Sequence, residues 1–237
     1  MKTVLITGAN SGIGFTTVKL FLENGYKVFA HYNTSKNNLE KIKTDKLILL
    51  KSNFKNIEEV ENLFEMVTKQ TPTIDILVNN AGLYAPADNF SGLGIKLFDD
   101  VLNVNLKAPF LLSKKFIELM KNYKRGKIIN ISSIGVKYGG SIKSMQYTIA
   151  KSALETMTLG FAKEGAKYNI LVNALRVGVT DTSIHSKVKD KNMKERIEMI
   201  PLKRMAKPEE ISEYILFLSS EKSNFTTGSI ITISGGE

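Results

Sequence analysis

The sequence predicts a doubly wound α/β fold: a mostly parallel, seven-stranded sheet with helices on both faces, spanning residues 1–237 as one unit. Three observations carry that expectation. Short β-branched runs recur at 3–7, 27–30, 47–51, 74–79, 126–132, 170–176 and 229–234, amphipathic stretches lie between them, and no repeat or low-complexity linker divides the chain. A strand followed by a helix must cross over to the next strand, which makes neighbours parallel. Parallel strands covered on both sides read as continuous apolar runs, as Leu47–Leu50 does.

The elements follow in order. The first strand, 3–7, runs into Gly8, and apolar residues at helical spacing resume over 13–25. Strands at 27–30 and 47–51 lead to a helix at 56–69, then to the fourth strand at 74–79. The fifth strand, 126–132, precedes a long helical stretch at 147–163, and the sixth occupies 170–176. The last helix, 208–220, opens with Pro208 in its first turn and Glu209 and Glu210 at the positive end of its dipole. The seventh strand closes the chain at 229–234.

Composition narrows the class. A content of 43% hydrophobic and 24% charged residues suits a globular protein with a sizeable core. With no cysteine, there is no disulfide, thiol nucleophile or cysteine-built metal site, and no metal is expected. The N-terminal MKTVLITG enters a strand directly, and no run of eighteen apolar residues occurs, so the expectation is a cytoplasmic protein without a membrane partner. The net charge is +10, from 33 Lys+Arg against 23 Asp+Glu. The lysines are scattered (Lys2, Lys19, Lys27, Lys36) and no aromatic stacking motif accompanies them. That pattern reads as solvated surface charge serving an anionic ligand, with no nucleic acid expected.

Chemistry concentrates at strand ends. Thr7–Gly14 reads TGANSGIG. Gly8 can make the tight turn, Gly12 lets backbone approach a ligand, and Gly14 permits close packing, so the amides of the following helix face a diphosphate. Asn79–Gly82 ends the fourth strand as NNAG: a plain turn, or the far wall of the same crevice. Ser132 and Ser133 stand at the carboxyl edge of the fifth strand. Tyr147 and Lys151 are four residues apart, one helical turn, and can reach a common reactant. An ammonium there is expected to draw the phenol's pKa down from about 10 toward neutrality.

Together these motifs resemble the short-chain dehydrogenase/reductase family, in its compact branch close to the 3-oxoacyl-carrier-protein reductases, with a Rossmann-type fold. The likeness covers Thr3–Gly236 and includes TGANSGIG, NNAG, the segment 101–110, ISS, YTIAK, the entry to the late helix at 201–210, and 227–236. It implies that Tyr147 is the general acid/base and that Lys151 lowers its pKa and binds the nicotinamide ribose. Ser133 would orient the substrate oxygen, with Ser132 as the adjacent candidate, and Asn105 would hold a water on the proton relay. Cofactor contacts are implied at Gly8, Asn10, Ser11, Gly12, Ile13, Gly14, Asn80, Ala81, Gly82, Gly178, Val179 and Thr182. Asn33 and Thr34 would lie by the adenosine ribose, and Asn53 and Phe54 by the adenine.

The chain departs from the family pattern in places. Asn53 replaces an acid, Val177-Gly178 replaces Pro-Gly, and Ser234 replaces an aspartate. Because no acid lies between His31 and Lys36, NADP(H) is favoured over NAD(H), although Ser11 stands where NADP-binding relatives often carry arginine. His31 is expected at the surface or ribose edge. A substrate lid is expected around 179–200, with His185 as a surface residue within it, and 83–98 as the opposite wall with Tyr84 near the opening. The implied reaction is hydride transfer between nicotinamide and a carbonyl or secondary alcohol, on a small molecule or a carrier-bound acyl group. Lys121, Lys124 and Arg125 would meet the carrier. The resemblance also implies a homo-oligomer, tetramer or dimer, using apolar positions such as Phe110, Phe116 and Leu154. A catalytically silent dinucleotide-binding regulator is the alternative on the same fold.

Overall fold

The computed structural model describes residues 1–182 and 192–237. Its seven strands are β1 (Thr3–Ile6), β2 (Lys27–Tyr32), β3 (Leu47–Lys51), β4 (Ile76–Asn79), β5 (Gly126–Ser133), β6 (Ile170–Val177) and β7 (Ile230–Ile233). They form one sheet, ordered β3-β2-β1-β4-β5-β6-β7. Every pairing is parallel. The order reverses at β1, so the carboxyl ends of β1 and β4 diverge into a crevice.

Helices cover both faces. They are α1 (Gly12–Glu23), α2 (Ile57–Thr68), α3 (Ile95–Leu102), α4 (Ala108–Lys121), α5 (Met145–Ala166), α6 (Met193–Glu198) and α7 (Pro208–Ser219). Strand alternation sorts the core into two layers. Leu5, Phe29, Leu77 and Ile128 pack with Leu63, Leu112, Phe116 and Ala162 of α2, α4 and α5. Val4, Ile6, Val28, Val78 and Ile129 pack with Val18, Phe21, Ile211 and Ile215 of α1 and α7. Phe116 and Leu154, which suited a partner subunit or the core equally, are fully buried in the core.

Strand ends differ from the sequence reading where polar residues intervene. β2 continues through His31 and Tyr32, which pair with Leu50 and Lys51. β4 starts only at Ile76, because Asp75 turns its carboxylate to the Thr3 backbone N–H, at 2.8 Å. Among the described residues, no helix is long and apolar enough to cross a membrane, and none of their His, Asp and Glu side chains form a group of metal-ligating geometry.

Candidate active site

The turn leaving β1 is built for close approach. Gly8 has φ +66, and a Cβ there would lie 2.7 Å from Ala81 Cα. Gly12 has φ +52, and its Cβ would meet Thr182 Cγ2 at 2.8 Å. Gly14 must be glycine for space alone, since a Cβ would fall 2.2 Å from the Gly8 carbonyl oxygen. Ser11 precedes α1 in extended conformation without capping it, and the first turn of α1 carries no acid. Its leading amides therefore keep their partial positive charge for an anion.

Thr7, a residue the motif reading passed over, ties this turn to the end of β4. Its Oγ1 donates to Val78 O at 3.2 Å and accepts from the Asn80 and Ala81 amides, both at 3.0 Å. Asn80 returns its Nδ2 to Thr7 O at 2.9 Å and Gly8 O at 3.1 Å. Only the strand-end position of the threonine hinted at this role.

Between α3 and α4 the chain widens into a π-helical turn, Asn103–Lys107, a feature frequent at functional sites. Asn105 sits inside it, fully buried. Its Nδ2 donates to Leu83 O and Val101 O, each at 2.9 Å, while its Oδ1 accepts from Leu83 N at 3.2 Å. The side chain thus fixes the start of the 83–98 wall.

A cavity of about 680 Å³ opens from the Gly8–Gly14 turn along the carboxyl edge of the sheet. Of the expected residues, Gly8, Ser11, Gly12, Ile13, Asn80, Ala81 and Gly82 line one end. Ser133, Tyr147, Lys151, Gly178, Val179 and Thr182 line the rest, together with Tyr84. Tyr138, Lys143 and Arg196 also line it, and no motif announced them. No Asp or Glu among the described residues does so.

Tyr147 lies edge-on to Tyr84, with ring centroids 5.3 Å apart. Burial pushes the Tyr147 phenol up to about 12, against the pull of a hydrogen bond with Ser133; the Tyr84 ring adds to the rise. Burial alone brings Lys151 down to about 8. The expected lowering of the phenol by its neighbour is therefore not what this structure shows. Lys151 Nζ donates to the Ile131 carbonyl at 2.7 Å and stands 5.6 Å from the Tyr147 ring centroid. Burial, not mutual attraction, sets the direction of both shifts.

At the other end, several expected cofactor contacts lie outside the cavity lining. Asn33 and Thr34 are exposed beyond β2. Asn10 Oδ1 accepts from Asn38 N at 3.2 Å, and Asn53 Oδ1 accepts from Lys55 N at 3.2 Å. Phe54 is taken into the core, stacked on His31 with centroids 4.0 Å apart. His31 is itself 2% exposed, so the surface placement was wrong. Gly8 N donates to its Nδ1 at 3.1 Å, which makes Nδ1 the acceptor and leaves Nε2–H to donate to Ser52 O at 2.9 Å. Burial depresses the imidazole to about 4, so it is a neutral spacer.

Gly178 is pinned beside β7, where its Cβ would lie 2.7 Å from Ser234 Cα. Of the segment read as a lid, residues 183–191, including His185, lie outside the described residues. Thr180 bridges to Ala206, and α6 carries Arg196 to the cavity rim, where it pairs with Glu237.

Sheet order and crevice are those of the nucleotide-binding α/β oxidoreductases. A family model described as enoyl-(acyl carrier protein) reductase matches residues 8–237. The 3-oxoacyl-(acyl-carrier-protein) reductase of Thermotoga maritima is 36% identical, over 99% of this chain and 97% of its own. That of Rickettsia felis is 34% identical, over 99% and 96%. A solved 4-hydroxyisoleucine dehydrogenase complexed with NADH superposes with TM-score 0.92 at 33% identity, covering 100% of this chain and 98% of that one. The chain belongs to the short-chain dehydrogenase/reductase family of oxidoreductases.

Proposed function

We propose that this protein interconverts a carbonyl and a secondary alcohol with a nicotinamide dinucleotide, and that Tyr147 transfers the proton. The single observation behind this reading is that Tyr147, Ser133 and Lys151 line the same cavity as the glycine turn. That turn fits a dinucleotide on its own evidence: Gly12 leaves backbone bare where a side chain would intrude, and no acid among the described residues lines the cavity to repel phosphate. Gly8, Ser11, Gly12 and Ile13 would hold the diphosphate, with Asn80–Gly82 at the ribose. A nicotinamide cofactor would supply or accept the hydride when bound, and Gly178, Val179 and Thr182 would hold its nicotinamide end.

The protein's own part is proton handling and orientation. Reduction turns a carbonyl oxygen into an alkoxide, a far stronger base than a phenolate, so a protonated phenol beside it can give up its proton. Ser133 orients that oxygen by a hydrogen bond, while Asn105 fixes the 83–98 wall and, by the family likeness, supports the proton path to Lys151. NADP(H) is the favoured cofactor, since the exposed tip at Asn33 and Thr34 carries no acid against a 2′-phosphate. The relatives' names make a 3-oxoacyl thioester the first substrate to try, followed by small hydroxy acids. A homo-oligomer is included in this reading, with half-exposed Phe110, 5.5 Å from Phe161, on the candidate face.

The test follows NADPH and NADH oxidation against 3-oxoacyl thioesters, an enoyl thioester, simple ketones and short oxo acids. Tyr147→Phe should abolish turnover, by about a thousandfold, while leaving cofactor affinity within about threefold. A protein that binds cofactor tightly yet turns over nothing in either direction would instead be a regulator. Preference for NADH by tenfold in kcat/KM would overturn the NADP(H) assignment alone.

A further inference from the structure

Three residues of α5, spaced one turn apart, lie along the end of β5, and two of them hold it by hydrogen bonds. Lys151 Nζ donates to Ile131 O at 2.7 Å and Glu155 Oε1 accepts from Ser132 Oγ at 2.7 Å, while Tyr147, one turn earlier, lines the cavity with Ser133. Residues i, i+4 and i+8 lie on one helix face, so the three side chains stack like rungs. Of the three, Glu155 alone is held in a salt bridge. Arg176 Nε donates to Glu155 Oε1 at 3.0 Å and Nη2 donates to Oε2 at 2.6 Å, a two-pronged pair. Arg176 is the direct cross-strand partner of Ser132 on β6, so one carboxylate joins α5, β5 and β6.

Ser132 itself lines the cavity, as do the residues that follow each partner: Ser133 after Ser132, and Val177 and Gly178 after Arg176. Glu155 is buried, 7% exposed, and its three bonds leave its oxygens little freedom. We propose that Glu155, clamped by Arg176, is a positioning residue. It sets the depth of Ser133 and of the Val177-Gly178 turn against Tyr147 and Lys151. It touches neither substrate nor cofactor. The inference rests on the oxidoreductase reading above, since it concerns the geometry of that proton donor.

The variants are Glu155→Gln, Ser132→Ala, Arg176→Met and Arg176→Lys in the full chain, assayed with whichever carbonyl the wild type reduces. Glu155→Gln should lower kcat by about 30-fold and Ser132→Ala by about fivefold, with the KM for cofactor within about twofold. Arg176→Lys should recover most of the kcat that Arg176→Met loses, because an ammonium still donates to the carboxylate. A role confined to folding predicts lower thermal stability with normal kcat below the melting temperature, and that result overturns the proposal. Should Glu155→Gln fail to fold, Ser132→Ala decides, because it leaves the buried ion pair intact: unchanged kcat there is fatal. If the wild type itself reduces nothing, the oxidoreductase reading has failed, and hydrogen exchange judges the clamp separately. Ser132→Ala should then speed exchange at 131–136, and equal exchange rejects it.

Discussion

Lys151 Nζ donates to the backbone carbonyl of Ile131 at 2.7 Å, one residue before the pair of serines at the end of β5. The ammonium is thereby anchored to the strand that carries Ser133, while burial holds its pKa near 8. A depressed lysine keeps its proton below that value and sheds it above.

Carbonyl reduction that relies on the charged lysine should therefore be level below about pH 8 and decline above it. The phenol, held near 12, stays protonated throughout that range and does not set the limb. The check is the pH profile of kcat/KM in the reductive direction between pH 6 and 10; a flat profile to pH 10 contradicts the assignment.

Gly12→Ala introduces a methyl at φ +52, 2.8 Å from Thr182 Cγ2. Both the backbone conformation and the contact oppose it, by roughly 1–2 kcal/mol for the conformation alone. The KM for cofactor should rise at least tenfold. Adding Thr182→Ser removes the clashing methyl but not the backbone strain, so it should restore only part of that loss.

His31 makes acid stability testable. Its pKa falls from 6.5 to about 4 on folding, so the unfolded chain takes up a proton that the folded protein resists. Its contribution is complete above pH 6.5 and is lost as the pH falls toward 4, by roughly 3 kcal/mol at about 1.4 kcal/mol per pH unit. Urea unfolding at pH 7 and pH 4.5 measures the drop. His31→Gln should shrink the difference between the two, at a cost to stability at pH 7.

Asn105→Ala leaves Leu83 N, Leu83 O and Val101 O without their side-chain partner in a buried turn. Each stranded group costs about 1–3 kcal/mol, so a loss of several degrees in Tm is expected together with weaker activity. Asn105→Asp keeps the acceptor for Leu83 N but sets a carboxylate against two carbonyl oxygens, and should be no better. If Asn105→Asp matches the wild type in both readouts, the bonding pattern is wrong.

Much of the fold was legible because its signals are local. Continuous apolar runs such as Leu47–Leu50 mark strands covered on both faces, and Gly8, Gly12 and Gly14 mark a turn that tolerates no side chain. The one-turn spacing of Tyr147 and Lys151 likewise placed them on one face of α5.

Burial, which belongs to the assembled chain, decided the rest. Whether Tyr147 sits above or below its free pKa depends on how dry the site is, and nothing in YTIAK reports that. His31 looked like a surface residue because histidine usually is one; it became an interior link only when Gly8 and Ser52 came together around it. The joining of Ser132, Glu155 and Arg176 spans separations of 23 and 21 residues, set by the order in which parallel strands lie side by side. Sequence spacing fixes which side chains share a helix face or strand end. Desolvation and cross-strand partnership arise only once the sheet has closed and water has been expelled from between its layers.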